Sequence, residues 1–224
     1  MPGPVVPLDP LLAPALEESL IFLRRELHRH PELSLEEHQT AARLEGFLRG
    51  LPLRSLERVA GTGVVARVAG RSPDAPTVAI RGDIDALPIA GETGLPFASV
   101  HAGVMHACGH DVHATWAAGA AHLLSHEPAA GDVVILLQPA EELARGALAL
   151  LEAGALSGVR AIFAGHVDRR FEVGEVVAQA GPLAASCDSF EIELFGQGGH
   201  GARPQETRDP IVAYSVLATR SSPS

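Results

Sequence analysis

The sequence predicts an α/β fold, specifically a three-layer α/β/α sandwich around a largely parallel, mixed sheet. The first observation is a set of short runs rich in Val, Ile and Leu, whose near-continuous apolar character is typical of strands buried on both faces. The second is that segments with helical periodicity lie between these runs. Strands that alternate with helices indicate a sheet whose strands are joined by helical crossovers.

Two helices are predicted before the first strand. Four leucines at helical spacing predict an amphipathic helix over residues 13–28. In the next segment, Ser34 and Glu37 have the spacing of a capping box, in which the two side chains cap the first turn of a helix. Gly50 stands where that second helix would end.

The remaining elements follow from the same patterns. The predicted strands are residues 63–69, 77–82, 132–138 and 160–165, and the predicted helices between them are residues 110–124 and 145–153. From Asp188 the pattern changes, because Phe190, Ile192 and Leu194 alternate with polar residues as in a half-exposed strand. A Gly-rich turn and an apolar stretch follow. We therefore expect one domain over residues 1–186 and the start of a second, α+β domain over residues 187–224.

Composition excludes several classes of function. Asp and Glu total 27 against 17 Lys and Arg, and the net charge of −10 argues against nucleic acid or an anionic membrane surface as a partner. Every basic side chain among the 17 is Arg, which excludes a Schiff-base lysine, a phosphate-binding P-loop lysine and a Ser–Lys dyad.

The cysteines and the apolar runs indicate the compartment. Cys108 and Cys187 are far apart and form no CxxC pair, so a disulfide scaffold is excluded and a reducing compartment is expected. Residues 1–10 lack the basic and apolar pattern of a signal peptide. The apolar run at residues 133–137 is far too short to span a bilayer. We expect a cytoplasmic protein.

Reactive side chains follow the predicted strands at their carboxyl ends, where open α/β sheets build their sites. They are Asp83 and Asp85 after residues 77–82, Glu141 and Glu142 after residues 132–138, and His166 after residues 160–165, joined by Cys108 and His110 just before a predicted helix. Taken singly, such residues are usually turn residues, helix caps or buried side chains. Together, thiolate, imidazole and carboxylate suit zinc, with manganese, cobalt or nickel as alternatives. Adjacent glutamates can supply both a ligand and a base.

Six strings of residues carry a resemblance to a known family. They are RRELHRHPELSLEEHQTAA (24–42), RGDIDALPI (81–89), MHACGHDVHAT (105–115), LLQPAEE (136–142), AGHVD (164–168) and GQGGHGARP (196–204). Together they resemble the aminoacylase, hippurate hydrolase and auxin-conjugate hydrolase branch of the co-catalytic zinc metallopeptidases. The resemblance covers almost the whole chain.

The resemblance implies a role for each matching residue. It implies that two divalent metal ions are held by Cys108, His110, Glu142 and His166. By the same resemblance Glu141 is the general base, Asp85 orients a metal ligand, and His200 is a lid residue that supports the oxyanion in the active site of a partner subunit.

The activity implied is hydrolysis of the amide bond of small N-acyl amino acids by an enzyme that is a homodimer when complete. In that family residues 187–224 correspond to an incomplete lid and dimerisation domain, so this chain is expected to be an incomplete form. Two alternatives stay open. One is a non-catalytic metal-binding fragment or interaction module, which would bind metal without hydrolysis. The other is a hydrolase with Cys108 as nucleophile, whose activity would be insensitive to chelators.

Overall fold

The computed structural model describes residues 12–178, 180–182 and 190–220, without the side chain of Arg220. Two compact units divide the chain, Met1–Val176 and Val177–Ser224. The domain boundary predicted between residues 186 and 187 lies outside the described residues and stays a prediction, as does any structural role of Cys187.

A five-stranded mixed sheet in the order β1-β2-β4-β3-β5 forms the centre of the first unit. Its strands are β1 Ser55–Val59, β2 Gly63–Val68, β3 Thr77–Asp83, β4 Val133–Gln138 and β5 Val159–Ala164. Strand β3 runs parallel to both β4 and β5, whereas β2 is antiparallel to β1 and β4. The predicted α/β fold with a mixed sheet is confirmed. The sequence missed β1, which is partly exposed and lacks an apolar run.

Helices pack on both faces of this sheet. They are α1 Pro14–Arg29, α2 His38–Arg49, α3 His110–His126 and α4 Gly146–Glu152. Side chains alternate across strand β4: Ile135 and Leu137 belong to the large core shared with the first three helices, whereas Val134 and Leu136 pack with Leu150 of α4. Because successive strand residues point to opposite faces, the sheet lies between two helical layers.

The predicted capping box is wrong. Helix α2 begins at His38, and the side chain of its N-cap residue, Glu37, does not cap it. The first turn is capped from outside the predicted box, because the Glu32 carboxylate accepts the backbone N–H groups of Gln39 at 3.1 Å and Thr40 at 2.7 Å. Instead, the Ser34 hydroxyl donates a hydrogen bond to Asp85 Oδ2 at 2.7 Å, and the Glu37 carboxylate is fully buried. Both side chains are committed to tertiary contacts that the local spacing could not reveal.

The second unit contains helix α5 Pro210–Arg220 and a 3₁₀ turn, Pro204–Glu206. The half-exposed strand predicted at Phe190, Ile192 and Leu194 is wrong: residues 190–196 are not in a strand. Within residues 190–220, the one β-type pair is the isolated bridge between Gln197 and Arg208. Alternation alone does not make a strand without a neighbour to pair with. No helix in the described part of the chain is long and apolar enough to cross a membrane.

Candidate metal centre

The reactive side chains meet at the carboxyl ends of three neighbouring strands. Asp83 is the last residue of β3, the glutamate pair follows β4 after Pro139 and Ala140, and His166 follows β5. Since β3 runs parallel to β4 and β5, these three ends lie at one edge of the sheet. Cys108 and His110 reach the same edge from the start of α3.

Two groups of the sequence-predicted side chains could hold a metal ion, and in a third, fully buried group, Asp83, His110 and His113, the ligand atoms lie equally close. One comprises Cys108, His110 and His166, the other His110, Glu141 and Glu142, and in each group the candidate ligand atoms lie within 4.8 Å of one another. The Cys108 sulfur is 3.4 Å from His166 Nε2. The structure thus brings together all five of these sequence-predicted residues, with His110 common to both groups.

His110 presents a free nitrogen to the site. Its Nδ1 lies 2.8 Å from the backbone oxygen of Asp85 and 3.2 Å from Asp85 Oδ1, so Nδ1 carries the donated proton. Its buried Nε2 has no hydrogen-bond partner. Oxygens of Asp83, Glu141 and Glu142 lie 3.7, 3.8 and 3.7 Å from that atom, beyond hydrogen-bond distance. A nitrogen lone pair facing several carboxylate oxygens is a donor set that fits a divalent cation.

The electrostatics of the site agree with that fit. Burial alone would lower the pKa of His110, but its hydrogen bond to Asp85 and the nearby Asp83 carboxylate raise it. Burial raises the pKa of Glu142, opposed by His110 and reinforced by the Glu141 carboxylate. Both shifts have the direction expected where negative charge is in excess, and a bound cation would relieve that excess.

Asp85 connects three parts of the site. Besides His110, its carboxylate accepts the Ser34 hydroxyl at 2.7 Å and the Glu142 backbone N–H at 3.1 Å. Burial would raise the pKa of Asp85, but these hydrogen bonds lower it to about 2. The ionised carboxylate therefore orients the His110 ring and fixes the Glu142 backbone at the same time.

His113 is a site residue to which the sequence gave no role. Its Nδ1 lies 2.7 Å from Asp83 Oδ1, and its Nε2 accepts the backbone N–H of Val167 at 3.0 Å. Asp83 also pairs with Arg81 at 2.6 Å. Because both ring nitrogens are engaged, His113 links Asp83 to the residue after His166 and has no nitrogen free for a metal. The available signal was its position three residues after His110, on the same side of α3.

Two glycines allow this close arrangement. A Cβ on Gly82 would lie 2.4 Å from the His113 backbone oxygen, so α3 packs directly on the end of β3. Gly109, the N-cap residue of α3, has a φ of 88°, and a Cβ there would lie 2.4 Å from a methyl carbon of Val167. Side chains at either position would separate the start of α3 from the strand ends.

The surroundings of Cys108 oppose its use as a nucleophile. Burial, followed by the charge and hydrogen bond of Glu142 and the charge of Glu141, raises the pKa of the Cys108 thiol to about 12. A nucleophilic cysteine needs a lowered pKa. In addition, His166 Nδ1 faces the Val167 backbone oxygen at 2.7 Å rather than an Asp or Asn side chain that would orient it as a base.

His200 lies in the second unit, in the Gly-rich turn. It is exposed, and its Nδ1 accepts the backbone N–H of Ala202 at 3.2 Å. The role in a partner's active site that the resemblance implies for it stays a prediction.

Comparison with known proteins identifies the family. The chain is 47% identical over 206 residues to the N-acetylcysteine deacetylase of Bacillus subtilis, covering 91% of this chain and 54% of that protein. It is 39% identical to the N-acetyldiaminopimelate deacetylase of Geobacillus thermodenitrificans, covering 89% of this chain and 54% of that protein. The chain therefore spans about half the length of these curated relatives.

A solved structure and a family model agree with these relatives. The crystal structure of the Bacillus subtilis YXEP protein, described as a dinuclear metal-binding peptidase of the M20 family, superposes with a TM-score of 0.67 at 46% identity. The match covers 70% of this chain and 44% of that one. The family model for peptidase family M20/M25/M40 matches residues 79–220. On this match over more than half of its length, the chain belongs to peptidase family M20/M25/M40.

Proposed function

We propose that this chain carries the metal-binding part of an enzyme that hydrolyses the amide bond of small N-acyl amino acids, as aminoacylases and hippurate hydrolases do. The observation that carries the proposal is the buried Nε2 of His110, which has no hydrogen-bond partner, faces converging carboxylates and is common to all three groups of possible ligands. The two relatives named as deacetylases of N-acetyl compounds support the substrate class.

Four side chains would hold two divalent ions, namely Cys108, His110, Glu142 and His166. Thiolate, imidazole and carboxylate together favour zinc, with manganese, cobalt or nickel as alternatives. When bound, such ions supply Lewis-acid polarisation of a carbonyl oxygen.

Glu141 is the proposed general base. Its side chain is 40% exposed, compared with 24% for Glu142, so it is the more open member of the pair while one oxygen stays 3.8 Å from His110 Nε2. Its carboxylate takes a proton from the attacking water as the water oxygen bonds to the amide carbon. The same proton then passes to the amine nitrogen as the C–N bond breaks, which releases an amine and a carboxylic acid; the acid then loses its remaining proton to solvent at neutral pH.

His200 is proposed to act between subunits. Its exposed imidazole would donate a hydrogen bond to the developing oxyanion in the active site of the partner in a homodimer. This part of the proposal rests on the resemblance of the Gly-rich turn.

The proposal is tested by an assay of hydrolysis with N-acetyl amino acids and hippurate as substrates. Zinc or manganese is added, and the free amino acid that is released is measured. The assay uses the 224-residue chain and a chimera in which it is continued by the C-terminal part of the Bacillus N-acetylcysteine deacetylase. We expect metal-dependent hydrolysis, lost on treatment with a chelator. Metal binding without hydrolysis in both proteins would instead favour the non-catalytic fragment.

The Glu141→Gln variant separates the base from the ligands. We expect hydrolysis to fall by about a hundredfold or more while the metal content is unchanged, because loss of a general base removes on the order of 10²–10⁴ in rate. The exposed Glu127, at the end of α3, gives the matched control Glu127→Gln, which should keep full activity. An active Glu141→Gln variant would refute the assignment of the base.

A further inference from the structure

We infer that Glu37 is a positioning residue that holds the turn carrying Glu141 and Glu142. This inference rests on the proposed function of that pair. Glu37 is fully buried. In the sequence it lies far from the strand ends that carry the site. Among the described residues no Arg or His forms a salt bridge with it. A buried carboxylate without a cation has to be compensated by hydrogen bonds.

Two hydrogen bonds hold the Glu37 carboxylate. Its Oε1 accepts the backbone N–H of Ala140 at 2.8 Å, across 103 residues of sequence. Its Oε2 accepts the Thr62 hydroxyl at 2.5 Å. The carboxylate therefore ties together the start of α2, the residue before β2 and the residue that precedes Glu141. None of these contacts caps α2.

The backbone conformation of Ala140 is one that has to be stabilised by surrounding contacts. Its φ is 46°, in the left-handed region that residues other than glycine seldom adopt. The backbone N–H groups of Arg145 and Gly146 both donate to the Ala140 oxygen at 3.2 Å, so the turn also closes on itself. With its N–H bound by Glu37, hydrogen bonds fix both peptide planes that flank the Cα of Ala140. The direction in which the chain enters Glu141 is fixed with it.

The neighbouring residue, Pro139, is confined as well. A Cβ on Gly146 would lie 1.5 Å from the Pro139 backbone oxygen, and a Cβ on Gly63 would lie 3.1 Å from Pro139 Cδ. The turn therefore has no room to shift towards β2 or α4. Glu37 supplies the remaining restraint, a polar one, on the side of α2.

Ser34 acts from the same segment on the other side of the pair. Its hydroxyl bonds the Asp85 carboxylate, which in turn accepts the Glu142 backbone N–H. Thus the segment before α2 holds the glutamate pair at two points, directly at Ala140 and through Asp85 at Glu142. Both bonds set how the two carboxylates face His110.

The variant Glu37→Met tests this role, because it keeps the volume of the side chain but removes both acceptors. Glu37→Gln retains one oxygen that can accept the Ala140 N–H and serves as the conservative rescue. Leu44→Ala is the stability control, since Leu44 is fully buried in α2 and belongs to the large core. Each variant is made in the 224-residue chain, and its thermal unfolding is recorded.

Two readouts are independent of hydrolysis: the Co²⁺ affinity, from titration of the visible absorption bands, and hydrogen exchange of the backbone amides in residues 139–146. Loss of an outer partner of a metal site costs about 10–100-fold in affinity, and we expect a weakening in that range for Glu37→Met, together with faster exchange. Glu37→Gln should restore both, and Leu44→Ala should lower the unfolding temperature without changing Co²⁺ affinity. Wild-type affinity and exchange in a folded Glu37→Met chain would overturn the inference.

A second variant decides the matter if Glu37→Met does not fold. Thr62→Val keeps the volume of the side chain but removes the hydroxyl that holds Glu37 Oε2, so the carboxylate is less firmly placed against the Ala140 N–H. Exchange in the turn should therefore rise and Co²⁺ affinity should fall severalfold. Unchanged values would contradict the inference. Absence of hydrolysis in a wild-type chain that binds Co²⁺ would count against the proposed function alone. In an active protein, Glu37→Met should lower kcat and leave KM nearly unchanged.

Discussion

The candidate metal centre has a buried side and an open side that are built differently. On the buried side the residues are at most 1% exposed; they are Asp83, Asp85, His110 and His113. Nearly every polar atom there has a partner, and the exception is His110 Nε2. On the open side are Cys108, Glu141, Glu142 and His166, which are partly or fully exposed.

The buried side contains orienting residues and one candidate ligand, His110, whereas the open side contains the other candidate ligands and the proposed base. The hydrogen-bonding atoms of Asp85 and His113 bind neighbouring protein groups, so these side chains fix the geometry of the site but have few atoms free to bind a metal ion. Cys108 and the two glutamates have few fixed contacts, and their positions follow from the backbone turns that carry them. A rigid side that sets one lone pair and an open side that can adjust to a cation together form a preorganised site.

The largest effect is expected at Cys108, on the open side. In the metal-free chain its pKa is raised from 9.0 to about 12, so the thiolate at pH 8 should be about a thousandfold scarcer than in an unperturbed cysteine. Alkylation of Cys108 by iodoacetamide can be measured by mass spectrometry in a Cys187→Ser background. Its rate at pH 8 should be lower in proportion to the smaller thiolate fraction, and the rate should still increase above pH 10.

The part of the Cys108 pKa shift that comes from nearby charge, rather than from burial, can be tested at Glu142. Removing its charge in Glu142→Gln should lower the pKa of Cys108 and speed alkylation at a fixed pH. Rapid alkylation of the unaltered chain at pH 8 would show that the open side does not hold excess negative charge around the thiol, and it would revive the cysteine nucleophile.

The second prediction compares one histidine from each side. His110 belongs to all three groups of possible ligands, whereas His166 belongs to one. His110→Ala should therefore abolish tight binding of both ions. The metal affinity should fall by more than about a hundredfold, because loss of a residue that only orients a ligand already costs up to about a hundredfold. His166→Ala should leave one ion bound. The metal content after dialysis, measured by mass spectrometry, distinguishes the two results.

The exposed His126, at the end of α3, supplies the matched control. His126→Ala should retain both ions. Equal losses in His110→Ala and His166→Ala would mean that the two sides of the site do not differ in the way their geometry indicates.

Much of the first unit could be predicted because its signals are local. The apolar run of β4 is buried along its whole length and that of β3 is buried or half-buried, and the amphipathic patterns of α1 and α2 each place one face in the core. The candidate metal ligands could be located because parallel strands bring their carboxyl ends to one edge. Position relative to a strand end was therefore more informative than any single residue.

What the sequence could not reveal depends on contacts between distant residues. Ser34 and Glu37 have a spacing that fits a local cap, yet their partners are Asp85 and Ala140, which are 51 and 103 residues away. The importance of His113 rests on two contacts, to β3 and to the residue after His166, that no local pattern encodes. The orienting residues are thus harder to find than the candidate ligands, because hydrogen bonding across the fold defines them.

The smallest predicted effect concerns acid stability and Asp85, on the buried side. Its pKa in the folded chain, about 2, lies below its ordinary value of 3.8. A carboxylate with a lowered pKa stabilises the fold above the unfolded pKa, and that contribution is lost as pH falls through the folded pKa. In the metal-free chain, about 2 kcal/mol of unfolding free energy should therefore disappear between about pH 4 and pH 2.

Urea unfolding at several pH values in that window, compared between the wild-type chain and Asp85→Asn, measures this contribution. The variant should be less stable near pH 6, and the difference should shrink as the pH approaches 2, because the wild-type carboxylate becomes protonated there. The other carboxylates titrate in both chains, so the difference isolates Asp85. A difference that stays constant from pH 6 to pH 2 would mean that the hydrogen bonds from Ser34, His110 and Glu142 do not depend on the charge of Asp85, and the rigidity of the buried side would then need another origin.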